Sequence, residues 1–265
     1  MSNSRTFTLN GGSLQNDGIF RLDSTGSTTI LGIASGMTLE GTGVLEMNDL
    51  EQNRITGNTN AVQTQTTGHT IRGSGNIGFS AIGLDNEFGA IEAQAGGTVA
   101  ITGSTTRIVG GTLTGDGAFT LGGNAALVDL INEGDITLSL PVGNTSGQIE
   151  GTIVNEGSIL LDAVGGFVLL NTAGDTTLTG TGVVEMNDDF RNRITGNTND
   201  VLTQTAGHTI RGSDNIGFST IGLDNEGVIE AVGDAGLTLQ LRTADGVTRR
   251  NAGTPVRCAQ RMGAC

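Results

Sequence analysis

Tryptophan, tyrosine and lysine are missing from this 265-residue chain, and proline and cysteine occur only twice each. Without Trp or Tyr the surface lacks the large amphipathic rings on which a sugar face is usually held. Without Lys, all 13 basic residues are Arg, set against 27 acidic ones for a formal net charge of −14. A nucleic-acid partner requires a basic face that displaces phosphate counterions, and an anionic membrane surface repels a chain of this sign. The acidity reads as solubility and self-repulsion. Two Pro beside 45 Gly exclude collagen and Pro-rich disorder. Cys258 and Cys265 both fall in the last eight residues and match no metal-ligand spacing. A Cys-free body leaves the compartment unread. Residues 1–15 lack a signal-peptide pattern, so any export signal is expected outside this chain. No apolar run is long enough to span a membrane as a helix. Neither a G-x-S-x-G elbow nor a Walker loop is present, and chance G-x-G-x-x-G matches carry no weight in so glycine-rich a chain.

What the chain does contain is repetition. Residues 41–87 reappear at 180–226, an offset of 139, with 38 of 47 positions identical. NDGIFRLD at 16–23 pairs with NEGSILLD at 155–162 at the same offset. A shorter period lies inside the longer one. The turn motif Asn-[Asp/Glu]-Gly-x begins at Asn16, Asn132, Asn155 and Asn225, with a one-residue insertion at Asn86. Successive spacings of 70, 46, 23 and 70 are close to whole multiples of 23. Internal periods of this size signal a solenoid. The runs between turns, such as GTGVLEM, HTIRGSG, TVAIT and GSILLD, are short, apolar or alternating, and broken by Gly or Asn. They read as strands. Three strands and three turns fill about 23 residues, and each strand pairs with its counterparts in the neighbouring coils ~4.8 Å away.

The expected fold is therefore all-β: a right-handed parallel β-helix of about 11 coils of ~23 residues. Residues 1–241 form one domain of two six-coil blocks, about 16–154 and 155–241, the second incomplete. Residues 242–265, with 5 of the 13 Arg and both Cys, break the pattern and are either an end cap or a foreign tail. The repeated Asn residues are expected to supply turns and to stack on one another as a side-chain ladder.

GTGVLEMND…NRITG…GHTIRGSGNIG…IGLDNE…IEA resembles the β-helix repeats of bacterial autotransporter passengers and filamentous-haemagglutinin-like proteins, across most of residues 16–231. The T-I-x-G-x-G piece at Thr70–Gly75 also looks like the wider pectin-lyase-like superfamily. His69 and His208 stand where such repeats commonly have Asn, and neither an export signal nor a C-terminal translocator or sorting segment is present. The resemblance implies a structural or adhesive segment of a bacterial surface or secreted protein, placed extracellularly or on the cell surface. It implies no specific activity; the partner expected is a glycan or a host or cell-surface ligand, with no nucleic acid, no membrane span and self-association through the solenoid ends.

The catalytic alternative is a polysaccharide lyase or glycoside hydrolase, or a weak metal-dependent hydrolase. Its acid–base candidates are Arg72, Arg211, His69 and His208. No cofactor is expected. Ca²⁺ or another divalent metal is the alternative, with Asp49, Asp188 and Asp189 as ligands beside Glu46 and Glu185. Against a shared metal, the two His sit at equivalent places in different blocks. They are expected to be turn or surface residues copied by duplication.

Overall fold

The short alternating runs become strands, and every strand pair whose register is described here is parallel. The computed structural model describes residues 4–57, 62–66, 68–79, 81–86, 89–138, 144–187, 190–234, 236–242 and 257–258, with backbone alone at 49–50, 138 and 257–258. No helix occurs among them. The chain is a parallel β-solenoid that divides into two compact units, Met1–Asp135 and Ile136–Cys265.

In the first unit three strand columns wind into three faces. Face A carries Ile19–Leu22, the start of Val44–Gly57, the start of Thr70–Ile77, Ala90–Ala93 and Thr112–Thr114. Face B carries the starts of Arg5–Gln15 and Thr29–Glu40, the ends of Val44–Gly57 and Thr70–Ile77, then Thr98–Thr102 and Ala118–Gly122. Face C carries the ends of Arg5–Gln15 and Thr29–Glu40, then Val62–Gln65, Gly83–Asp85, Arg107–Val109 and Ala125–Val128. The second unit repeats the scheme. Its face A, for example, runs through Ser158–Leu161, Val183–Met186, Thr209–Gly212 and Val228–Ala231.

Because strand side chains alternate in direction, register turns each inward position into a column. On face A of the first unit Leu45, Ile71, Ile91 and Leu113 stack, all at most 1% exposed. The second unit stacks Ile159, Val184, Ile210 and Ile229 in the same way. Each such side chain contributes ~1.5–3 kcal/mol of burial, which a single coil could not provide for itself.

The turns are uneven. Arg107 pairs with Ala126, 19 residues on, whereas Met37 pairs with Gln63, 26 residues on. The solenoid makes about nine turns, fewer than the eleven expected from a uniform 23. The strands keep their registers, and the corners absorb the difference. Of the irregular tail, Arg257–Cys258 is described, and it pairs in parallel with Glu230 and Ala231. The remainder of 243–265 lies outside the described residues.

The inner column Leu22, Met47, Gly73, Ala93 narrows abruptly, and the second unit's column Leu161, Met186, Gly212, Ala231 does the same. A Cβ on Gly73 would lie 1.7 Å from the Met47 carbonyl oxygen, and one on Gly212 would lie 2.1 Å from that of Met186. Both have a positive φ, 116° and 129°. Gly73→Ala and Gly212→Ala are therefore expected to lower stability by on the order of 3 kcal/mol or more, combining backbone clash with a disallowed φ. Urea denaturation of each variant measures this, and a loss under ~1 kcal/mol would contradict the close approach.

Candidate functional site

The two histidines, expected to be turn or surface residues, stand at a turn but not on the surface. His69 and His208 are both fully buried at the corner leading into face A. Each is reached by an Asn 53 residues earlier. The Asn16 side-chain amide donates to His69 Nε2 at 3.1 Å, and that of Asn155 to His208 Nε2 at 3.1 Å. An amide NH₂ only donates, so each Nε2 carries the lone pair and the ring proton sits on Nδ1. The same Asn amide groups also donate to the Val44 and Val183 carbonyls, at 3.4 and 3.2 Å.

Asn16 and Asn155 each reach across a coil to a histidine two turns on. Glycine makes room for this. A Cβ on Gly43 would lie 2.6 Å from the Asn16 amide nitrogen, and one on Gly182 would lie 2.8 Å from that of Asn155. The G-T-G of the repeat is the gap through which the Asn side chain passes.

The two units differ on the other side of the ring. His69 Nδ1–H donates to Gln65 Oε1 at 3.2 Å, and the Gln65 amide donates in turn to Asn86 Oδ1. In the second unit Gln204 instead donates to the His208 and Val228 carbonyls, at 2.8 and 2.9 Å. His208 Nδ1 is left buried without a hydrogen-bond partner. Burial holds the pKa of both rings below the usual histidine value, His208 at about 4.

Arg72 and Arg211 stand on the outer side of face A, in register with Glu46 and Glu185. Arg72 pairs with Glu46 at 2.7 Å, Arg21 pairs with the same carboxylate at 2.9 Å, and Arg211 pairs with Glu185 at 2.5 Å. Charges of opposite sign thus alternate up the face. Nothing brings the histidines to these arginines on a common surface: the former point into the core and the latter outward. Asp188, Asp189 and the Asp49 side chain lie outside the described residues. Among the described residues no three His, Cys, Asp or Glu side chains converge.

Two further features lie apart from the expected site residues. A groove of about 820 Å³ crosses the corner from face C to face A in the first unit, floored by Gly110 and Gly111 and edged by Asp85, Arg107 and Asp129. On face B, Arg54 lies 3.5 Å over the Phe79 ring, and at offset 139 Arg193 lies 4.0 Å over Phe218. The recurrence of both residues at the repeat offset was the available signal.

Acid should expose the buried imidazoles. The unfolded His titrates near 6.5 and the folded His208 near 4, so in that window the unfolded state holds more protons and stability falls as pH falls. The His208 contribution should be present in full above pH 6.5 and be lost by roughly 3 kcal/mol on descending to pH 4. Chemical denaturation of His208→Asn and the parent at both pH values isolates this from carboxylate titration. Equal pH slopes would contradict it.

No family model matches the chain, and neither a curated protein nor a solved structure matches it.

Proposed function

We propose that this chain is a structural and adhesive β-helix segment of a bacterial surface or secreted protein, without catalytic activity of its own. The observation that carries the reading is how the reactive residue types are employed. The imidazoles are core cross-links between coils, and Arg72 and Arg211 neutralise Glu46 and Glu185 of the coil before. Each contact recurs at offset 139, so the same side chains do the same work in both units. Duplication of a coil-to-coil contact is what a repeat scaffold requires, since its stability is a sum over neighbouring coils. The resemblance to passenger and haemagglutinin-like repeats supports an extracellular or cell-surface setting.

The second reading, a polysaccharide-active enzyme on the same fold, draws on the groove edged by Asp85, Arg107 and Asp129. Paired carboxylates flanking a cleft are the arrangement glycoside cleavage uses.

A turnover panel of acidic and neutral polysaccharides and small esters, run with and without chelator, separates the two. The expected result is no turnover in any condition. Turnover lost in Asp85→Asn and Asp129→Asn would establish the enzyme reading instead. Arg72→Gln and Arg211→Gln should each lower stability by about 1 kcal/mol or less, as partly exposed ion pairs do. A loss several times larger would mean that these pairs hold more than their own two coils.

A further inference from the structure

Two groups of arginines stand out among the described residues. Arg21, Arg72 and Arg211 face carboxylates. Among the described residues Arg54 and Arg193 form no ion pair or hydrogen bond, and aromatic rings hold them. Arg193 is gripped on two sides, 4.3 Å from the Phe167 ring and 4.0 Å from Phe218, with Arg191 over Phe190 at 4.2 Å close by in sequence. A guanidinium covered on its faces keeps its edge free, and that edge is a planar fork of N–H donors matched to an oxyanion. Leaving such donors uncommitted on a chain of net charge −14, with acidic residues in twofold excess, runs against the pattern of the other face.

The partner rings carry an independent mark. Phe79 has φ 51° and Phe218 φ 45°, the left-handed region that a bulky residue rarely enters. Such a conformation is costly and collects at binding and catalytic sites. Burial does not offset it, because Phe79 is 53% exposed and Phe218 43%. Both turns hold the ring out from the wall: Gly78 and Gly217 donate to the Ile55 and Ile194 carbonyls, and the Phe218 N–H donates to Asn215 Oδ1 at 2.8 Å. An exposed aromatic, strained into place beside an unpaired cation, recurs once in each unit.

The surrounding wall is weakly polar. The outward column through Arg54 runs Thr6, Ile30, Arg54, Asn76, Ala100 and Thr120. Arg54 and Phe79 edge a concavity of about 380 Å³ with Glu51, Asn76, Thr98 and Thr120. Exposed ring faces suit the C–H faces of sugars, hydroxyl and amide groups suit sugar hydroxyls, and the guanidinium fork suits an acidic substituent. An acidic peptide would use the fork and leave the exposed rings and the hydroxyl and amide groups around them unused.

We propose that the Arg54–Phe79 and Arg193–Phe218 pairs are two copies of a binding site for an acidic glycan, a sugar chain bearing carboxylate or sulfate groups. The proposal rests on the adhesive reading above and names its ligand class. The second-unit copy binds more tightly, because Phe190 stands where the first unit has Glu51 and so removes a carboxylate from the site.

The test is calorimetric titration of the full chain with polygalacturonate, dextran sulfate, neutral dextran and poly-L-glutamate. At least one of the two acidic glycans should bind and neutral dextran should not, the two acidic polymers separating carboxylate from sulfate recognition. The double variant Arg54→Gln/Arg193→Gln should bind about tenfold more weakly, with the larger share from Arg193, while Arg211→Gln stays at the parent affinity. Phe79→Gly/Phe218→Gly should also weaken binding and yet show a thermal midpoint no lower than the parent, since glycine relieves the strained φ. Absence of binding to both acidic glycans, parental affinity in the double Arg variant, or equal affinity for poly-L-glutamate would each overturn the site. Turnover in the earlier panel would remove the adhesive reading while leaving an Arg-dependent affinity intact. Arg-independent binding would remove this site and leave the adhesive reading standing.

Discussion

Parallel pairing between successive coils is the constraint on which everything else in this molecule depends. A strand in this arrangement has no freedom to choose its neighbours, because each residue lies against one residue of the coil before and one of the coil after. Like must therefore tolerate like. Apolar positions become columns such as Leu45, Ile71, Ile91 and Leu113. Outward charged positions must alternate in sign, as Arg21, Glu46, Arg72 and Glu92 do. Where a column cannot hold one more side chain, glycine appears, and Gly73 and Gly212 mark that place in the two units.

Polar groups in the interior obey the same constraint with less tolerance. A buried donor or acceptor left without a partner costs more than a made hydrogen bond returns. The first unit closes its chain from Asn16 through His69 and Gln65 to Asn86. The second unit keeps the Asn155–His208 link and turns Gln204 to backbone carbonyls instead. The near-identical sequences of the two blocks thus settle on two hydrogen-bond patterns around one shared cross-link.

Much of this was legible from sequence. Short strands, the all-β class and the solenoid follow from the period-2 runs and the repeat. The spacing of the Asn-[Asp/Glu]-Gly turns gives the mean turn length but hides its spread, since corners change length without disturbing strand register. The histidines do stand at a turn, as a polar ring between Gly and Thr suggests, but their burial was not read. Their burial was encoded in the pairing of Asn16 with His69 and of Asn155 with His208 at a common separation, with Gly43 and Gly182 between. Arg54 and Arg72 also read alike, both copied at offset 139. Only register distinguishes them, by setting Glu46 beside Arg72 and Asn76 beside Arg54.

The Asn–His link spans two turns rather than one, and this sets how the first unit can come apart. Stacked coils held only by adjacent contacts would peel singly from an edge, like cards from a deck. Withdrawing the turn that carries Asn16 strips the hydrogen bond from an imidazole two levels deeper and opens the glycine gap between them to water. Fraying there proceeds in strides of two turns, so the smallest piece that can leave intact is larger than the smallest piece that repeats.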